Sequence, residues 1–146
     1  MPENPPAATD AGLPTVADVM RPPVTTVELT AHLAGAAYLM KRAHDGALVV
    51  IDDHVERRPV ALLCDADIIQ AVADGKDPEQ TRITDLHRPA PVTVGPDVTV
   101  ADAAELMLSS GLQYLPVVEE GRLLGLVDLT LVCRSLLGTQ AGAPQS

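Results

Sequence analysis

At 146 residues the chain is long enough for one compact domain, or for two small units that share a core, without disulfide or metal staples. Twenty acidic against ten basic side chains leave a net charge of −10, which repels a phosphate backbone, and two tyrosines offer no stacking platform for nucleic-acid bases. No run approaches the roughly 18 apolar residues of a membrane span, MPENPPAATDAGLP lacks the regions of a signal peptide, and Cys64 and Cys133 lie outside any CxxC or Cys/His spacing. The expectation is a cytoplasmic protein with no membrane or nucleic-acid partner.

In chain order, residues 1–14 hold four of the thirteen prolines and read as a disordered tail. A helical turn at 16–20 is stopped by Pro22, which forces its predecessor out of the α region. A β-branched strand follows over Val24 to Val27. Then Leu33, Ala36, Ala37, Met40 and Ala43, spaced by three and four, predict an amphipathic helix. ALVVI and VALLC, joined by DDHVERRP, form a hairpin pattern, and a helix over Asp65 to Ala73 closes the unit. The DDH at 52–54 reads as a polar hairpin turn; no metal site is expected.

The same order then recurs. VADVMRPPVTTVELTAHLAGAAYLM (16–40) aligns with ITDLHRPAPVTVGPDVTVADAAELM (83–107) at an offset of 67 residues. Asp-x-x-Arg-Pro followed by Thr-Val stands in both copies, so Arg21 matches Arg88 and Pro22 matches Pro89. The second copy predicts a turn at 83–86, a strand over Val92 to Val94, and a helix with Val100, Ala103, Ala104, Met107 and Leu108 on one face. Thr99 and Asp102 fit a capping box at its start. YLPVV and RLLGLV form the second hairpin around EEG, a helix over Leu129 to Leu137 closes the unit, and TQAGAPQS (139–146) reads as a second tail. The fold class is α+β: two repeated β-α-β-β-α motifs, residues 15–77 and 78–138, packed sheet to sheet as one pseudo-twofold module.

DVMRPPVTTV and DLHRPAPVTV, with ALVVI and VALLCDADI in the first unit and GLQYLPVV and LLGLVDLTLV in the second, make the chain resemble a tandem pair of cystathionine-β-synthase-type (CBS) domains, the Bateman module. The resemblance covers about residues 15–138. It implies a homodimeric regulatory or adaptor module rather than an enzyme, acting on a regulated protein that the sequence does not name. It needs no cofactor and is open to AMP, ADP, ATP or another adenosine derivative. No GxSxG, HExxH or Walker-type loop argues for catalysis.

The resemblance also implies where such a ligand sits. In the family a Ser or Thr at a strand end and an Asp three residues on hold the ribose. The first unit has Cys64 and Asp67 at those positions, the second Asp128 and Leu131. Only the first is expected to work, with walls from Leu62, Gly46 and Ala47, and across the cleft from Thr93, Val98, Leu112 and Gln113. Positions 46 and 47 often carry phosphate-binding cations in the family, and here they are Gly and Ala. Arg42 and His44 are the nearest substitutes, and the expectation is an adenosine-like or monophosphate ligand, or none, rather than a triphosphate. Asp67 also has a ligand-free reading, a first-turn carboxylate favoured by the helix dipole, and with it stands the alternative of an empty, structural protein-interaction module. Cys64 reads as a small apolar strand residue, and Asp128 as either exposed or capping the helix that begins at Leu129.

Overall fold

The computed structural model describes residues 12–21, 25–52 and 55–145, with side chains as far as Gly138. The elements are α1 (Val16–Val19), β1 (Thr26–Glu28), α2 (Leu33–Ala43), β2 (Ala47–Ile51), β3 (Pro59–Cys64), α3 (Asp65–Ala73), a 3-10 turn (Ile83–Leu86), α4 (Val100–Ser110), β4 (Tyr114–Glu119), β5 (Arg122–Asp128) and α5 (Leu129–Gln145). The tail expected at 1–14 lies outside the described residues up to position 11, as do Asp53 and His54 of the DDH string and Val24 of the first strand. Helix α5 runs through residues 139–145, which the sequence reading places in a tail.

The duplication is visible in backbone detail. α2 ends on His44 at φ 53 and α4 on Gly111 at φ 67, positions one repeat apart. In both, the next N–H closes the helix on a methionine carbonyl: Asp45 donates to Met40 at 3.0 Å and Leu112 to Met107 at 2.9 Å. Each hairpin carries a register shift at the equivalent point, between Val50 and Ile51 and between Val117 and Val118. Glu120 and Gly121 both take positive φ, the two-residue turn whose twist matches the strands it joins.

One predicted strand is shortened. In the first unit β1 pairs parallel to β2, from Thr26 opposite Val49 to Glu28 opposite Ile51, giving a sheet of order β1-β2-β3. The strand expected over Val92 to Val94 is a single parallel bridge, Val94 to Val117, beside a two-stranded β4-β5 sheet. Pro96 has no N–H to continue the ladder beyond Gly95.

Three apolar clusters organise the molecule. Leu33, Ala36, Met40, Leu48, Val50, Leu63 and Ile68 fill the first unit, and Val94, Val100, Ala103, Met107, Leu115, Val117 and Val132 the second. Between the sheets lies a third: Val49, Ile51, Leu123 and Leu126, with Leu62 and Tyr114 against it. Alternation explains the division. Leu48 and Val50 point to the first unit's helices, while Val49 and Ile51, on the opposite face of β2, point to the other sheet. All five residues of β2 are buried as a result.

The opening turns are exchanged. Val16 is buried in the second unit's core and Ile83 in the first's. Val16 N–H donates to the Val98 carbonyl at 2.8 Å and Arg21 N–H to Leu126 at 3.0 Å, while Ile83 N–H donates to Ala31 at 2.9 Å and Thr84 N–H to Leu29 at 3.0 Å. Gly125 makes the first crossing possible: a Cβ there would stand 2.7 Å from Met20 Sδ and 3.2 Å from Met20 Cβ. Each unit therefore supplies a piece of the other's core.

Candidate functional site: the strand-to-helix corners

In each unit the last strand passes into the closing helix with no loop. Cys64 ends β3 and is the N-cap of α3, with extended backbone at φ −107 and ψ 161. A thiol is a weak acceptor, and the capping oxygen comes instead from Asp67, whose Oδ2 accepts the Cys64 N–H at 2.8 Å. In the second unit Asp128 ends β5, and its Oδ1 accepts the Leu131 N–H at 2.7 Å. Both four-residue strings, Cys-Asp-Ala-Asp and Asp-Leu-Thr-Leu, thus supply one carboxylate that bonds the backbone at the string's other end. The acid has moved by one helical turn, from last place to first.

The exchanged turns bring a cation to each corner. Arg88 Nη1 lies 3.5 Å from Asp67 Oδ1. Its repeat partner Arg21 lies with Nη2 3.4 Å from Asp128 Oδ2 and with Nη1 2.8 Å from Asp45 Oδ2. The two arginines differ in how firmly they are held. Arg21 bridges carboxylates from both units, with Nε and Nη2 buried, whereas among the described residues Arg88 has one longer ion contact; the two side chains are about equally exposed, 38% and 40%. Neither arginine stood among the expected site residues, although their identity across the repeat was the available signal.

Burial pushes the Cys64 thiol above its usual range; the charges of Asp67 and Asp65 add to this and Arg88 opposes it. The residue stays protonated and unreactive near neutrality. Burial, then Asp45 and further nearby charges, raise the Tyr114 phenol as well. Among the described residues no group of three or more His, Cys, Asp or Glu could hold a metal ion.

The expected site residues are distributed over several surroundings. Asp67 lines a cleft of about 280 Å³ with Lys76, Asp85 and Arg88. Gly46 lines another, of about 490 Å³, with Lys41, His44 and Asp65, and Gln113 a third, of about 760 Å³, with Tyr114, Asp128, Cys133 and Arg134. Ala47 pairs with Cys64 on the neighbouring strand and is buried. Leu62 packs into the cluster between the sheets, Val98 and Leu112 pack on the second core, and Thr93 is exposed. Of the cations expected to substitute at phosphate, Arg42 stacks over Tyr38 at 6.0 Å and His44 lines the Gly46 cleft. The cations beside Asp67 are Arg88 and Lys76.

Two units with exchanged turns, matched bulges and matched helix ends have a direct counterpart in sequence: a profile for the CBS domain matches residues 16–74 and again 83–138. The chain belongs to the CBS-domain family. This CBS pair is 32% identical to the CBS domain-containing protein YhcV of Bacillus subtilis over 115 residues, 78% of this chain and 79% of that protein. It is 30% identical to MK0525 of Methanopyrus kandleri over 116 residues, 78% of this chain but 58% of that protein, and so spans little more than half of that relative's length. Among solved structures it resembles the CBS domain protein PAE2072 of Pyrobaculum aerophilum complexed with AMP, at a TM-score of 0.77 and 26% identity, covering 88% of this chain and 98% of that one. No helix of the described residues is long and apolar enough to cross a membrane.

Proposed function

We propose that this CBS pair is a cytoplasmic regulatory module that binds an adenosine-type nucleotide at the first corner and transmits its occupancy to a partner protein, without catalysis. The observation that carries the reading is Asp67: a carboxylate pinned by the Cys64 N–H at a helix start, with two cations in the same cleft. Ribose presents vicinal hydroxyls, and a fixed carboxylate accepts from them in a charge-assisted way. The AMP carried by PAE2072 supports the ligand class. A ligand lodged against Asp67 from the first unit and Arg88 from the second unit's opening segment would favour one relative setting of the units, and that population shift is the signal.

A thermal-shift panel of AMP, ADP, ATP, adenosine, S-adenosylmethionine and NAD tests this. A ligand at 100 times its dissociation constant stabilises by about 2.7 kcal/mol, on the order of 10 °C for a domain of this size. Asp67→Asn, which keeps an acceptor for the Cys64 N–H, is expected to abolish the shift. An undiminished shift in that variant would reject Asp67 as the ribose residue.

A second reading is an interaction module whose clefts stay empty. It is favoured by the partners Asp67 already has, a backbone N–H and Arg88, which leave the carboxylate satisfied without ligand. No shift with any nucleotide would select it. In both readings the module pairs with a second copy through its helices, where Tyr38, Ile69, Val72, Leu108 and Leu137 stand exposed. Light scattering is expected to give a dimer and Ile69→Asp with Leu108→Asp a monomer; a monomeric parent would overturn the pairing.

A further inference from the structure

We infer that Arg88 is the residue that selects the ligand at the Asp67 corner, favouring a nucleoside monophosphate over the uncharged nucleoside. The inference rests on the reading of Asp67 as the ribose carboxylate and adds to it the source of phosphate recognition.

Gly46 and Ala47 themselves put no cation at the start of β2, and the cleft that contains Asp67 draws its positive charge from Arg88 and Lys76. Of these, Arg88 comes from the second unit's opening segment and reaches the corner only because the opening turns are exchanged. Its contact with Asp67 is 3.5 Å, beyond good hydrogen-bond length. Arg88 is therefore a loosely held cover on Asp67. Arg21, at the repeat-equivalent place, is clamped at 2.8 Å by Asp45 and is far less free to move.

Two ligands then meet this cover differently. Adenosine needs the carboxylate and offers the displaced guanidinium nothing in return. A monophosphate offers oxygens that a planar guanidinium grips in bidentate fashion, so Arg88 leaves Asp67 for a better partner. Additional phosphates are disfavoured, because Asp74 and Asp85 stand on the walls of the cleft.

The test is calorimetric titration of AMP and adenosine into the full chain, its Arg88→Ala, Arg88→Lys and Asp67→Asn variants. The parent is expected to bind AMP at least about tenfold more tightly than adenosine, the gain of a charge-assisted contact. In Arg88→Ala the ratio should collapse towards one, through weaker AMP binding and unchanged or tighter adenosine binding, while Arg88→Lys retains part of the preference. The ratio is internal to each variant, so a modest loss of stability does not imitate the result. An unchanged ratio in Arg88→Ala overturns the role of Arg88 while leaving Asp67 standing. Undiminished binding of both ligands by Asp67→Asn overturns the ribose reading, with the Arg88 ratio still deciding the phosphate contact. Binding of neither ligand by the parent and by Arg88→Ala overturns both.

Discussion

Cys64 occupies a place where a hydroxyl could both cap a helix and meet a ligand, and it can do neither well. Its thiol is held above the ordinary value of 9.0 first by burial and then by Asp67 and Asp65, and the Tyr114 phenol above 10.0 first by burial and then by Asp45. A raised value means that the folded protein holds the proton more tightly than the unfolded chain. The corresponding stability is complete below the unfolded value and is lost as pH rises through the folded one. The melting temperature is thus expected to fall from about pH 9 upwards, more steeply for the parent than for Cys64→Ser, which has no thiol to ionise. Equal slopes in the two would remove Cys64 from the alkaline transition.

At the scale of the element, a helix that follows a strand without a loop has N–H groups to satisfy within a single turn. Asp67 and Asp128 meet that need from opposite ends of the same string, so each corner has one aspartate bonded to the backbone in this way, but at different positions. Asp128→Ala should destabilise the chain by about 1 kcal/mol, the usual loss on removing a cap. Asp128→Ser combined with Leu131→Asp rebuilds the first corner's arrangement in the second. Urea titration is expected to find the double variant more stable than Asp128→Ala. The reverse order would show that an aspartate at position 131 does not replace the cap that Asp128 supplies.

At the scale of the whole molecule, exchanged turns and an apolar layer between the sheets join the two units into one cooperative body. Ile83 lies in the second half of the sequence and is 1% exposed inside the first unit's core. Ile83→Ala is expected to cost about 2 to 5 kcal/mol and to shift a single urea transition to lower concentration. Separate transitions for the two units would contradict the exchange, because a core completed by the other unit's turn cannot outlast it.

Periodicity and punctuation are local properties, and they suffice for the elements: the faces of α2 and α4, both hairpins and the corners at Cys64 and Asp128 follow from spacings of two, three and four and from the repeat. Asp67 stands in the first turn of a helix, as expected, but the wall residues expected with it line other surroundings. The shortened strand at Val94 was less legible, since β-branched residues promise a ladder whose length depends on the N–H groups its neighbours can offer. The exchange of Val16 and Ile83, and with it the meeting of Arg88 with Asp67 and of Arg21 with Asp45 and Asp128, could not be read from either copy alone. Both copies carry the same Asp-x-x-Arg-Pro opening, and nothing local says which core it will enter. Packing decides that, because apolar burial is non-directional and is satisfied by whichever unit offers the space; the cations at each corner are a consequence of that choice.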